Sequence, residues 1–207
     1  MTQPQQSPNV QLQGQRDFDA MYAGTPPWDI GRPQQAFLEL ANAGELRGHV
    51  LDVGCGTGEH ALMAARLGLD ATGVDTSPRA IAMAKTKAEE RRLSARFVLC
   101  DALELASLGE QFDTVLDSGL YHVFDDAPRD RYVHSLESAV RLGGRYFLLC
   151  FSDRQPGDFG PRRIREEEIR ASFRDGWHLD SLAPTTMEIT IDPRGAQAWL
   201  ATITRTA

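Results

Sequence analysis

The sequence predicts an α/β protein built as a Rossmann-like, doubly wound sheet, and three observations predict it. Short apolar runs of strand character alternate with longer stretches of helical period. A turn with glycine at positions 54, 56 and 58 joins the first run to the next helix. Three successive runs carry an aspartate at or just after their ends, at Asp52, Asp75 and Asp101. In an open sheet of this kind ligands bind at the carboxyl edge of the strands.

The elements follow in order. Residues 1–20 open with the Gln/Pro-rich MTQPQQSPNVQLQGQ and read as a disordered tail, with neither basic nor apolar targeting character. Pro33–Arg47 reads as a helix with Phe37, Leu40 and Ala41 on one face. His49–Val53 is a buried strand, and Glu59–Leu67 a helix that stops at Gly68. Ala71–Asp75 is a strand, followed by a helix to about Arg92 with Ser77 as N-cap and Pro78 at its first position. Arg96–Cys100 and Phe112–Asp117 are further strands. Pro128–Leu142 reads as a helix ended by Gly143 and Gly144, and Arg145–Phe151 as a fully apolar strand. A Pro/Gly/Arg-rich loop covers 152–164, Arg165–Arg174 is a short helix, and His178–Leu182, Thr186–Ile191 and Trp199–Thr204 read as extended. With no internal repeat or linker, residues 21–207 make one domain: an N-terminal lid and helix (21–48), a cofactor-binding core (49–151) and a C-terminal part (152–207).

Composition narrows the function. The 207 residues carry a formal net charge of −7, which disfavours nucleic acid as partner. The longest apolar run of the C-terminal half, Tyr146–Phe151, is far short of the roughly 18 residues of a membrane span. Cys55, Cys100 and Cys150 stand alone, with no C-x-x-C pair, and read as three buried free thiols of a cytoplasmic protein without a metal site.

The glycine turn, Val50-Leu-Asp-Val-Gly-Cys-Gly-Thr-Gly-Glu59, is the most informative segment. Glycines let the backbone approach a ligand, and the helix behind them presents free N–H groups. The stretch Gly56-Thr-Gly-Glu-His-Ala61 satisfies the dinucleotide pattern G-x-G-x-x-G/A, so a nicotinamide oxidoreductase is one expectation. Asp52 and Glu59 would repel a pyrophosphate with no evident positive compensation, and they favour a cationic or zwitterionic ligand such as a sulfonium amino acid. Asp75, at the end of the second strand, suits a ribose diol, and Asp101 an adenine amino group.

VLDVGCGTGEHALMAARLG, ATGVDTSPRAIAMAK, FVLCDALEL and FDTVLDSGLYHVF together resemble the motif series of class I S-adenosylmethionine (SAM)-dependent methyltransferases, over about Val50 to Phe151. The resemblance implies a seven-stranded sheet with its last strand antiparallel. It implies that Gly54, Cys55, Gly56, Thr57 and Gly58, with Asp52, surround the methionine moiety, that Asp75 and Thr76 hold the ribose, that Asp101 and Ala102 frame the adenine, and that Ser118 stands beside the methyl donor. S-adenosylhomocysteine (SAH) would be the product, and no metal is implied. A narrower resemblance lies in the flanks. Pro26-Pro-Trp-Asp-Ile-Gly-Arg-Pro33 is similar to a segment of thiol, halide and thiopurine methyltransferases, whereas Ser118–Phe124 and Phe151–Gly160 look like heterocyclic toxin methyltransferases of mycobacterial type. These imply methylation, as a detoxification, of a small heteroaromatic O, S or N nucleophile, hydroxyquinolone-like above all, with a thiol or halide as the alternative.

Candidate residues follow. His122 is the expected base or orienting group and Tyr121 a hydrogen-bonding partner. Trp28 is expected over the cofactor, and Tyr22, Phe124 and Phe159 against the substrate. Arg154, Arg162 and Arg163 could attract an anionic substrate. A protein of this size is expected to act as a monomer or homodimer. A nucleoside-binding protein without catalysis is the reading from a different class.

Overall fold

The computed structural model describes residues 17–158 and 160–207. Seven strands form one sheet in the order β3-β2-β1-β4-β5-β7-β6. They are β1 (His49–Val53), β2 (Asp70–Asp75), β3 (Ala95–Leu99), β4 (Phe112–Ser118), β5 (Val140–Phe151), β6 (Trp177–Ile189) and β7 (Asp192–Arg205). Strands β1 to β5 pair in parallel, and β7 runs antiparallel to both β5 and β6, as expected. The order reverses between β1 and β4, so their carboxyl ends flank a crevice.

Helices α1 (Phe18–Met21), α2 (Gln35–Asn42), α3 (Glu59–Arg66), α4 (Pro78–Arg91), α5 (Asp126–Ala139) and α6 (Glu166–Ser172) surround the sheet. Side-chain alternation along the strands sorts the core into two layers. Val50, Leu116, Phe147 and Leu149 meet Phe37, Leu62 and Ile81 on one face. Leu51, Val115, Tyr146 and Leu148 meet Leu105, Tyr132, Leu136 and Ile169 on the other.

Several boundaries differ from expectation, among them the start of β7, at Asp192 and not Trp199. Helix α2 ends at Asn42, because Gly44 follows with φ +72°, a left-handed C′ conformation suited to glycine. Helix α5 ends at Ala139, because extended Val140 already pairs with Phe112 in β5. Gly143 and Gly144 therefore lie in the strand; a Cβ on Gly144 would stand 2.8 Å from the Arg141 carbonyl, where the register shifts. The two extended pieces expected between His178 and Ile191 are one strand, β6, whose edge position tolerates Pro184. Finally, the expected disordered tail overlaps α1: Phe18, Asp19 and Ala20 are helical, and residues 1–16 lie outside the described residues. Two 3-10 segments, Ala102–Leu108 and Tyr121–Val123, had no sequence expectation. Ser77 caps α4 as expected, accepting from Ala80 N at 3.0 Å. No helix among the described residues is long and apolar enough to cross a membrane. Cys55 and Cys150 are buried, and Cys100 is only half-buried.

Candidate functional site

The glycine turn leaves β1 at the crevice. Gly56 has φ +52°, and a Cβ there would lie 2.7 Å from the Tyr22 hydroxyl. Gly58 has φ +85°, and its Cβ would lie 2.7 Å from the Phe97 ring and 2.9 Å from the Ala84 methyl, so α3 and α4 close on the sheet only over glycine. Gly54 lies under the Leu120 side chain. The turn is thus a buried cradle bare of side chains at its glycines, roofed by Tyr22.

Asp75 ends β2 beside this cradle. Its Oδ2 accepts from Gly56 N at 2.9 Å and its Oδ1 from Ser77 N at 2.8 Å. Burial pushes its carboxyl above the ordinary value against these bonds. A carboxylate offers about four acceptor sites, so Asp75 keeps capacity for hydroxyl donors. Thr76 and Asp101 are exposed on the same edge; Asp101 caps the 3-10 turn by accepting from Leu103 N at 2.9 Å, and Ala102 is buried behind it. Ser118, half-buried, ends β4. Thr57 donates to Asp29 Oδ1 at 3.1 Å and accepts from Lys87 at 2.7 Å.

Residues 17–34 form a strap across this edge. Trp28 donates to the Tyr22 hydroxyl at 3.0 Å, and Phe18 stacks edge-on to Trp28. Burial raises the Tyr22 phenol well above its usual range. The far end of the strap is tied to β6: Arg32 makes a two-pronged ion pair with Glu188, and the Gln34 side chain bonds both the N–H and the carbonyl of Glu188.

Several expected residues sit elsewhere. Asp52 is buried, facing α3, where it accepts from Ala61 N at 3.1 Å and lies 3.7 Å from His60 Nδ1, so it fixes the helix start and does not open on the cradle. Tyr121 is fully buried, bonded to Ser172 at 2.7 Å beneath the Arg129 guanidinium, so it belongs to the core. Phe124 packs on Tyr132 at 5.1 Å, on the α5 side of the sheet. Phe159 lies outside the described residues. The loop arginines are engaged within the protein: Arg154 over Trp199, Arg162 with Asp126 and Glu168, Arg163 with the carbonyls of Gln155, Gly157 and Pro161.

His122 is buried in the turn after β4, edge-on to Phe151 at 5.1 Å. Its Nδ1 accepts from Phe151 N at 2.9 Å. The proton of the neutral ring therefore sits on Nε2, which lies 3.3 Å from the Cβ position of Gly119. In this arrangement the Nδ1 lone pair is engaged by the Phe151 N–H.

Glu59 is fully compensated by Lys87 at 2.8 Å and Arg91 at 2.7 Å. Burial would raise its carboxyl, but the bonds from Arg91 and Lys87 prevail and hold it low. Its expected repulsion of a pyrophosphate therefore has no basis. Asp117, unassigned from sequence, is wholly buried at the end of β4 and accepts from Leu120 N, Tyr121 N and the hydroxyls of Tyr132 and Tyr146. It shapes the 118–122 turn from beneath. No cluster able to hold a metal ion occurs among the described residues.

The comparisons with known proteins settle the cofactor class. A family model described as a methyltransferase domain matches residues 50–144. A 2-heptyl-1-hydroxyquinolin-4(1H)-one methyltransferase of Mycobacteroides abscessus is 36% identical over 168 residues, 80% of this chain and 74% of the relative. The chain belongs to the class I SAM-dependent methyltransferases. The methyltransferase is also 39% identical to a solved structure from work on the conversion of a disulfide bond into a thioacetal group during echinomycin biosynthesis, with 91% of each chain covered and a TM-score of 0.84. At 23% identity and a TM-score of 0.66, the magnesium protoporphyrin IX methyltransferase of Synechocystis with bound SAM shares the fold, over 83% of this methyltransferase and 76% of its own chain. The site residues fit the cofactor: a Cβ-free cradle, a carboxylate aligned by backbone donors and an acidic edge are what a sulfonium nucleoside requires.

Proposed function

We propose that this methyltransferase acts on a small heteroaromatic nucleophile, hydroxyquinolone-like, in a detoxifying methylation. The observation that carries this is the 36% identity, over most of both chains, to a methyltransferase named for a hydroxyquinolone. When bound, SAM supplies an activated sulfonium methyl group. Gly54, Cys55, Gly56, Thr57 and Gly58 would hold its amino-acid part, Asp75 and Thr76 the ribose, Asp101 and Ala102 the adenine, and Ser118 the edge beside the methyl. Tyr22 and Trp28 cover it and exclude water, which strengthens an acceptor anion. His122, in the turn after Ser118, would help to orient the acceptor, with proximity as the main catalytic term. Asp52 supports the turn indirectly, through the α3 amide.

A second reading, a sulfur acceptor, is favoured by the 39% identity to the protein of the disulfide-to-thioacetal conversion. Incubation with labelled SAM and a panel of N-hydroxyquinolones, thiols, phenols and halides distinguishes the two. Transfer to the N-hydroxyquinolone oxygen is expected. Exclusive transfer to thiols would replace the first reading with the second. SAH binding without transfer to any acceptor would leave a nucleoside-binding protein.

A further inference from the structure

We propose that Asp19 is a positioning residue that latches the strap to the nucleoside end of the cofactor site through Ser77, so that nucleoside release waits on the strap. The inference rests on the assignment of the glycine turn and Asp75 to SAM. Helix α1 has four residues, too few to be stable alone. What holds it is Asp19. Its Oδ1 accepts from Ser77 Oγ at 2.6 Å and from Arg79 N at 3.1 Å, its Oδ2 lies 3.6 Å from Arg79 Nε, and its carbonyl accepts from the Arg79 guanidinium at 3.4 Å. The Asp19 charge also complements the N-terminus of α4, a 14-residue helix.

Ser77 is the shared part. It is buried, and it serves three partners at once. Its N–H orients Asp75 Oδ1, its Oγ accepts from Ala80 N to cap α4, and the same hydroxyl donates to Asp19. The residue that fixes the ribose carboxylate is therefore the residue that fixes the strap. Three positions beyond Asp19, Tyr22 reaches Gly56. Ten beyond it, Asp29 accepts from Thr57. The other end of the strap is secured independently by Arg32 and Gln34 on Glu188. Loss of the Asp19 bonds frees only the near end, which covers the cradle.

The test uses the full chain and SAH, with dissociation followed by stopped-flow tryptophan fluorescence. Asp19→Ala is expected to dissociate SAH about fivefold faster, the scale of one charged hydrogen bond at a partly exposed site, with association changed less than about twofold. Asp19→Asn, which keeps the acceptor and loses the charge, should fall between. In a Ser77→Ala background, Asp19→Ala should add clearly less than it does in the wild type, because only the contacts with Arg79 are left to lose, a non-additivity that a merely structural loss would not give. Wild-type dissociation in Asp19→Ala, or effects of the two substitutions that multiply independently, would overturn the latch alone. Failure of the wild-type chain to bind SAH would overturn the site assignment and the latch with it.

Discussion

Replacing Asp117 by Asn removes a titrating group from the centre of the fold. The carboxylate is completely buried, 2.8 Å from Leu120 N and 2.9 and 2.7 Å from the hydroxyls of Tyr132 and Tyr146. Burial outweighs these bonds and raises its pKa to about 6. An unfolded Asp titrates near 3.9. The folded state thus binds the proton more tightly, so its stability is greatest below the unfolded pKa and is lost as pH rises through the folded one. A shift of about two units amounts to about 3 kcal/mol in full, of which about 2 kcal/mol is lost between pH 4 and pH 7, because the unfolded Asp is already half ionised at pH 4. Asp117→Asn has no such dependence, while its amide still bonds the turn and the tyrosines. The assay is urea unfolding by tryptophan emission across that window, at micromolar protein because the isoelectric point is near 5.2. The unfolding free energy of the wild type minus that of Asp117→Asn should fall by about 2 kcal/mol from pH 4 to pH 7. Parallel curves would falsify the reasoning, because they would mean that the buried carboxyl ionises as it does in water.

Other substitutions probe the site directly. Gly56→Ala forces a side chain into a left-handed backbone and onto the Tyr22 hydroxyl, so SAH binding by calorimetry should weaken about tenfold with the fold retained in circular dichroism. His122→Ala strips the acceptor from buried Phe151 N and should cost about 1–3 kcal/mol in denaturant, yet the pH profile of kcat/KM should keep its shape, since Phe151 N already engages Nδ1. A lost inflection near neutral pH would count against the assigned tautomer. Glu59→Gln breaks the pairs with Lys87 and Arg91, so it should destabilise at pH 7. Because the Glu59 carboxyl is held low, that difference is present above the unfolded pKa and should vanish as acid protonates the wild type.

The parallel core was legible in the sequence because its physics is local. Short continuous apolar runs set the strands, Ser77-Pro78 set the start of α4, and the glycines and Asp75 fell together at one edge. What escaped reading depends on partners distant along the chain. Glu59 looked like an uncompensated charge because Lys87 and Arg91, one helix later, were not visible as neighbours. Asp117 was one more strand residue until Tyr132 and Tyr146 closed on it. Tyr121 and Phe124 sit in the right stretch but turn to the α5 side, because the 3-10 turn at Tyr121–Val123 has no periodic signature. The Gly143-Gly144 pair signals a chain reversal equally well after a helix or inside a bulged strand, and only the pairing of Val140 with Phe112 decides.

The clasp between Gln34 and Glu188 also orders events in time. The two residues are 154 positions apart, so the strap cannot be fastened at its far end until the chain has been made through the hairpin of β6 and β7. Strands β1 to β5 and the glycine turn are all synthesised before that point and can pair among themselves. During synthesis the near end of the strap, which Asp19 holds on Ser77, can therefore close over the cradle before its far end is fastened, so the two ends of the cover are secured at different times.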